Sequence, residues 1–165
     1  MSTTAPATPV RPGHRTAAAV ITAAVVAISA LGGLGVNTNS AWYQGLDLPS
    51  WQPPGWLFGP VWTALYILLA RSAYLAWRDA DGPRRRPILA LYAANAILNV
   101  GWTYLFFRAE RPALAGVEII VLLATIVALV VLMRPVNRQA SWALVPYGAW
   151  VAFATALTWT IAAAN

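Results

Sequence analysis

Trp42, Trp51, Trp62, Trp102 and Trp150, with Tyr43, Asn95 and Asn99 as polar handles, are the residues of this sequence with most to offer a ligand. An indole presents a broad apolar face and one N–H donor, so several together suit a flat, apolar, conjugated molecule. Aromatic walls with a few polar groups are the general recipe for a small-molecule site. Other chemistries find no support. There is no cysteine, which removes disulfides, thiolate nucleophiles, Fe–S clusters and Cys-ligated zinc. The single histidine, His14, falls in the N-terminal tail without partners at ligand spacing, so a solvated side chain is expected and no metal site. No Gly-rich phosphate loop, workable carboxylate pair or Ser/His/Asp set is present.

The elements that must position these rings are set by the solvent. The chain is 59% hydrophobic and 10% charged, with mean hydropathy +0.60, whereas a soluble domain carries about 25% charged residues. Such a composition belongs in a bilayer. The 165 residues hold several spans of about 20 residues each and little else. The expected fold is an all-α integral membrane protein with five transmembrane helices, at about 16–36, 58–78, 87–107, 113–133 and 142–164. A disordered tail over 1–15, rich in Pro, Thr and Ala, precedes one membrane domain over 16–165.

Between the first two spans lies a segment containing Trp42, Trp51 and Trp56 and the prolines Pro49, Pro53 and Pro54, with Trp62 and Pro60 just beyond. Proline fixes its own φ, removes a donor and biases the preceding residue away from the α region. An ordered, extended-to-turning loop is expected, with helix only from Phe58 onward. An interfacial anchor would explain one or two of its indoles, but not four.

All eleven basic residues are arginine. Arg11, Arg15, Arg78, Arg84, Arg85, Arg86, Arg134 and Arg138 fall on one side of the five spans, Arg108 and Arg111 on the other. The positive-inside bias then places the N-terminus in the cytoplasm and the aromatic loop and C-terminus opposite. Distribution along span ends accounts for the charge of +6 without a nucleic-acid partner.

Polar residues inside the spans carry the remaining information. Tyr92, Asn95, Asn99 and Trp102 are spaced to share one face of the third span. That face is either an interhelical hydrogen-bonding seam or the wall of a polar pocket. Tyr147, Trp150, Ala154 and Thr158 form a similar stripe in the fifth, with small Ala154 leaving room between larger neighbours. Arg71 and Glu118 are expected to form a structural ion pair or to snorkel, in preference to a proton relay.

The sequences WYQGLDLPSWQPP, FGPVWTALY, NAILNVGWTYLFF and PYGAWVAFATALTWTIAAAN together resemble the TspO/translocator protein family of tryptophan-rich sensory proteins, also called peripheral benzodiazepine receptor homologues. The resemblance covers the chain from the first helix to the C-terminus and is to bacterial-type members. It implies a five-helix bundle, usually homodimeric, in a bacterial cell membrane. The ligand it implies is a tetrapyrrole, protoporphyrin or heme, with no obligatory cofactor. The implied pocket comprises Tyr43, Trp62, Asn95, Asn99, Trp150 and Ala154; Trp51 and Trp102 join it from the aromatic reading above. Sensing or handling of porphyrin is the implied function. Alternatives are light- and oxygen-dependent porphyrin degradation, with Trp62 and Trp150 as the catalytic candidates, and carriage of a lipid or metabolite. Asn95 and Thr158 stand where animal members have Gln and Asn, and nothing basic follows Arg138, so drug and sterol binding do not carry over.

Overall fold

The computed structural model describes residues 13–165, so positions 1–12 of the expected tail lie outside the described residues. The described residues form six helices: α1 His14–Gly35, α2 Ala41–Gln44, α3 Gly55–Asp79, α4 Gly82–Phe107, α5 Pro112–Met133 and α6 Arg138–Ala164. Four of them, α1, α4, α5 and α6, are both long and apolar enough to cross a membrane. The four residues of α2 cannot cross. Helix α3 has 25 residues, about 37 Å at the usual rise, but carries Arg71, Arg78 and Asp79. The expected count of five spans is thus not reproduced by length and composition alone.

Helix starts depart from expectation in one direction, each being earlier, and local chemistry explains the shifts. Helix α1 begins at His14, before position 16. The His14 ring is half-buried, its Nδ1 3.1 Å from the Tyr74 hydroxyl and its plane edge-on to Trp77; it is not a solvated tail residue. Gly13, with φ 111°, supplies the left-handed turn before it. Inside the expected loop, the Ser40 hydroxyl accepts from the Tyr43 N–H and caps α2. Extended Pro54 lets α3 start at Gly55 and not at Phe58, with Pro60 tolerated in the second turn.

The polar turn expected over 79–86 shrinks to Ala80 and Asp81. The Asp81 carboxylate accepts from the Arg84 N–H at 3.0 Å, and a proline in the first turn suits a helix start. Asn137 caps α6 in the same way, accepting from the Ala140 N–H at 2.9 Å, so α6 starts at Arg138 rather than near Trp142.

The five long helices close a ring in the order α1, α3, α6, α5, α4, with α3 also touching α4 across it. Leu65, Leu69, Ile119, Leu122, Ile126, Leu129, Leu144 and Val151 fill its interior. Small residues permit close approach at two places. A Cβ on Gly116 would lie 2.9 Å from Trp159 of α6, and one on Gly35 would lie 2.7 Å from Thr103 of α4. One end of the bundle collects the start of α1, the end of α3 and the starts of α4 and α6, tied by His14–Tyr74 and Asn137–Asp79. The other end collects the end of α1, the aromatic segment and the C-terminus. There Arg108 donates to the Leu34 carbonyl, and the Asp47 N–H donates to the Asn165 side chain at 2.9 Å.

Candidate functional site

Toward the second of these ends the ring encloses a cavity of about 530 Å³. Helix α3 contributes Phe58, Trp62 and Tyr66, spaced four apart and so stacked on one face. Asn99, Trp102 and Phe107 come from α4, and Trp150 and Ala154 from α6. Ser29, Gly32 and Gly33 of α1 and Val36 just after it close the side, and Tyr43 and Gln52 of the aromatic segment close the mouth, joined by a 3.3 Å bond from Gln52 Nε2 to the Tyr43 hydroxyl. The rings brace one another. Trp62 tilts over Tyr66 at 5.5 Å, Trp102 stacks on Phe106 at 5.4 Å, and Phe58 meets Trp150 edge-on at 5.7 Å.

The cavity's polar wall is the end of a hydrogen-bond chain that crosses the bundle. Tyr66 donates to Asn99 Oδ1 at 2.7 Å, and Asn99 Nδ2 donates to the Tyr147 hydroxyl at 3.2 Å. Tyr147 donates to Asn95 Oδ1 at 3.1 Å, Asn95 Nδ2 to Thr125 at 2.8 Å, and Thr125 to the Leu122 carbonyl at 2.6 Å. Four helices share the chain, and each buried hydroxyl and carboxamide in it is satisfied, as a low-dielectric interior demands. By contrast, Trp102 Nε1 and Trp150 Nε1 are buried with no partner among the described residues. Both residues line the cavity, but their N–H groups are themselves shielded, so what they present to it is ring surface.

Of the residues singled out from the sequence, Tyr43, Trp62, Asn99, Trp102, Trp150 and Ala154 come together on this cavity. Trp51 and Asn95 do not. Trp51 is 47% exposed and packs edge-on against Phe153. Asn95 is fully buried in the seam between α4, α5 and α6. Trp42 packs on Phe106 in a separate apolar cluster. The third-span face is thus an interhelical seam at Asn95, and at Asn99, one turn on, both seam and cavity lining.

Arg71 and Glu118 do not pair. Arg71 reaches Gln139 near the start of α6, whereas Glu118 sits in the second turn of α5 beside Gly101, its carboxylate oxygens buried and unpartnered among the described residues. The two helices place these residues toward opposite ends of the bundle. Tyr66 and Thr125 were missed as site residues. The Trp62–Tyr66 spacing of four was the available signal for the first; a lone Thr in an apolar helix gave little for the second.

Comparison with known proteins agrees with this architecture. The TspO/MBR family profile matches residues 19–164. The human translocator protein is 36% identical over 122 residues, covering 73% of this chain and 72% of its own. The tryptophan-rich protein TspO of Archaeoglobus fulgidus is 35% identical over 146 residues, 86% of this chain and 94% of its own. That of Chlorobaculum tepidum is 38% identical over 129 residues, 76% and 80%. With a profile match over nearly the whole described chain, and relatives aligned over most of their own lengths, this integral membrane protein belongs to the TspO/MBR family.

Proposed function

We propose that the protein captures a planar tetrapyrrole, protoporphyrin or heme, in the aromatic cavity and acts in porphyrin sensing or handling. The observation that carries this reading is the cavity itself: about 530 Å³, within the roughly 300–1,000 Å³ of small-molecule sites. Trp62, Trp102, Trp150 and Phe58 supply flat walls, and Gln52, Tyr66 and Asn99 supply polar groups among them. In this reading α3 is the fifth span. It is packed between α1 and α6, with Leu65, Leu69, Ala73 and Ala76 buried, and must run beside helices that cross. A homodimer in a bacterial cell membrane, with the N-terminus in the cytoplasm, completes the proposal.

The test is a titration of the purified protein with protoporphyrin, reading tryptophan emission. A porphyrin against several indoles should quench emission saturably, near one ligand per chain, and unchanged emission at saturation overturns the assignment.

Trp62 and Trp150 on the same cavity favour a second reading, in which light, oxygen and an indole electron donor held at contact destroy the porphyrin. Trp62→Phe and Trp150→Phe keep an aromatic wall, so affinity should stay within about tenfold, roughly 1.4 kcal/mol. Bleaching under illumination should collapse in both, because Phe is a poor electron donor. Bleaching as fast as the parent's, or a parent no faster than detergent alone, removes this reading and leaves the first. Lipid or metabolite carriage is the remaining alternative, with porphyrin competing for the natural cargo.

A further inference from the structure

The end of the bundle away from the cavity mouth carries Arg15, Arg78, Arg84, Arg85, Arg86, Arg134 and Arg138, but only Asp79 and Asp81 as acids. Both acids are engaged: Asp79 binds Arg78 and also accepts from Asn137, and Asp81 caps α4 while lying 3.8 Å from Arg84. Arg85 has no carboxylate left to meet. It does not extend freely into water either. Its guanidinium lies 5.8 Å from the centre of the Trp77 ring, one terminal nitrogen donates to the Ala80 carbonyl at 3.2 Å, and Nε is buried with no partner among the described residues.

The same indole meets the His14 ring edge-on at 5.3 Å, and Nδ1 of His14 is engaged by Tyr74. The start of α1, the end of α3 and the start of α4 therefore converge on one tryptophan, with Arg15 and Arg86 on the adjoining turns.

Charge counting alone accounts for arginines at this end, since topology needs only cations in water. It does not account for a guanidinium drawn down onto an indole with one N–H buried and unpaired, which costs desolvation. A tetrahedral phosphate oxygen is the acceptor that a guanidinium fork matches best. Tryptophan is the residue that sits at headgroup depth in a bilayer, and basic pockets between transmembrane helices hold anionic headgroups.

We propose that Arg85, on its Trp77 floor and flanked by His14, Arg15 and Arg86, binds the phosphate of an anionic bilayer phospholipid at the junction of α1, α3 and α4. The bilayer is the source, because the acyl chains of such a lipid would run down the apolar outer faces of α1 and α4, where Val20 and Ile97 are exposed. The site is independent of the aromatic cavity and of what that cavity binds.

Native mass spectrometry of the full chain in detergent, with added phosphatidylglycerol or phosphatidylcholine, tests this. The parent should retain one phosphatidylglycerol in preference to phosphatidylcholine. Arg85→Gln should lose that preference by about tenfold, the scale of one charge-assisted contact. Arg134→Gln, which removes an equal charge just after α5 at the same end, should keep it. No preference in the parent overturns the proposal, as does an equal loss in both variants, which would signal diffuse charge. If inorganic phosphate displaces the lipid adduct at millimolar concentration, the site takes a soluble anion and the lipid assignment fails. Should Arg85→Gln not fold, Arg85→Lys and Trp77→Phe carry the same comparison. Arg85→Lys keeps the charge but lacks the fork, so retention of the parent's full preference there also overturns the proposal.

Discussion

Asn95 and Asn99 stand one helical turn apart, yet replacing each should have a different effect. Asn95 spends both ends of its carboxamide on Thr125 and Tyr147 and does not line the cavity. Asn95→Leu should therefore lower the thermal stability of the empty protein by about 0.6 kcal/mol, up to ~2, as measured for hydrogen bonds between membrane helices. Porphyrin affinity should fall only as the fold loosens. Asn99 both holds Tyr147 and faces the cavity, so Asn99→Leu should lower stability and also weaken binding by about 1 kcal/mol or more. Thermal unfolding paired with the emission titration separates the two. Their shared face was legible from spacing alone. That both carboxamides are held by internal partners and only Asn99 also lines the cavity was not, because Thr125 is 30 residues away from Asn95 and Tyr147 is 52 away. Local periodicity places a side chain on a face but does not name its partner.

At the scale of elements, the α5–α6 contact rests on a missing side chain. A Cβ on Gly116 would come within 2.9 Å of the fused edge of the Trp159 ring, so the whole indole, although 40% exposed, would have to shift. Gly116→Ala should destabilise by about 1–3 kcal/mol, the usual cost of overpacking, seen as a lower melting temperature in detergent. At the opposite end, the bond from Arg78, helped by Asn137, holds the Asp79 carboxyl below the usual carboxylate range. A lowered folded-state value stabilises above the unfolded range and is lost as pH falls through it. Asp79→Asn should therefore cost about 0.2–1 kcal/mol at neutral pH and nothing below the lowered value, a convergence that melting curves from neutral to strongly acidic pH would show. Helix ends near 107 and 133 were legible from composition. The starts of α4 and α6 fall earlier than polarity suggests because capping by Asp81 and Asn137 extends helix into stretches that read as turn, and Ser40 caps a short helix inside the expected loop.

Across the whole molecule, the starts of α1 and α6 lie at one end and the C-terminus at the other. If the arginine-rich end is cytoplasmic, as proposed, a reporter fused after Asn165 should be active only outside the cytoplasm; cytoplasmic activity would invert the assignment. Hydropathy made the long helices readable, but their cyclic order was not, since the ring places α6 beside α3 and α1 beside α4 through packing that no local pattern encodes. That order leaves α1 as the least secured member, packed chiefly on α3 and α4 with only Gly32 and Gly35 buried. Elements with little buried contact open locally at a fraction of the global unfolding free energy. Amide exchange should then be graded, fastest in α1 and slowest in α5 and α6. Because Ser29, Gly32, Gly33 and Val36 wall the cavity, a guest bound there is linked to the docking of α1: it raises the free energy of opening that helix by RT ln(1 + [L]/Kd), and so slows its exchange by the factor 1 + [L]/Kd.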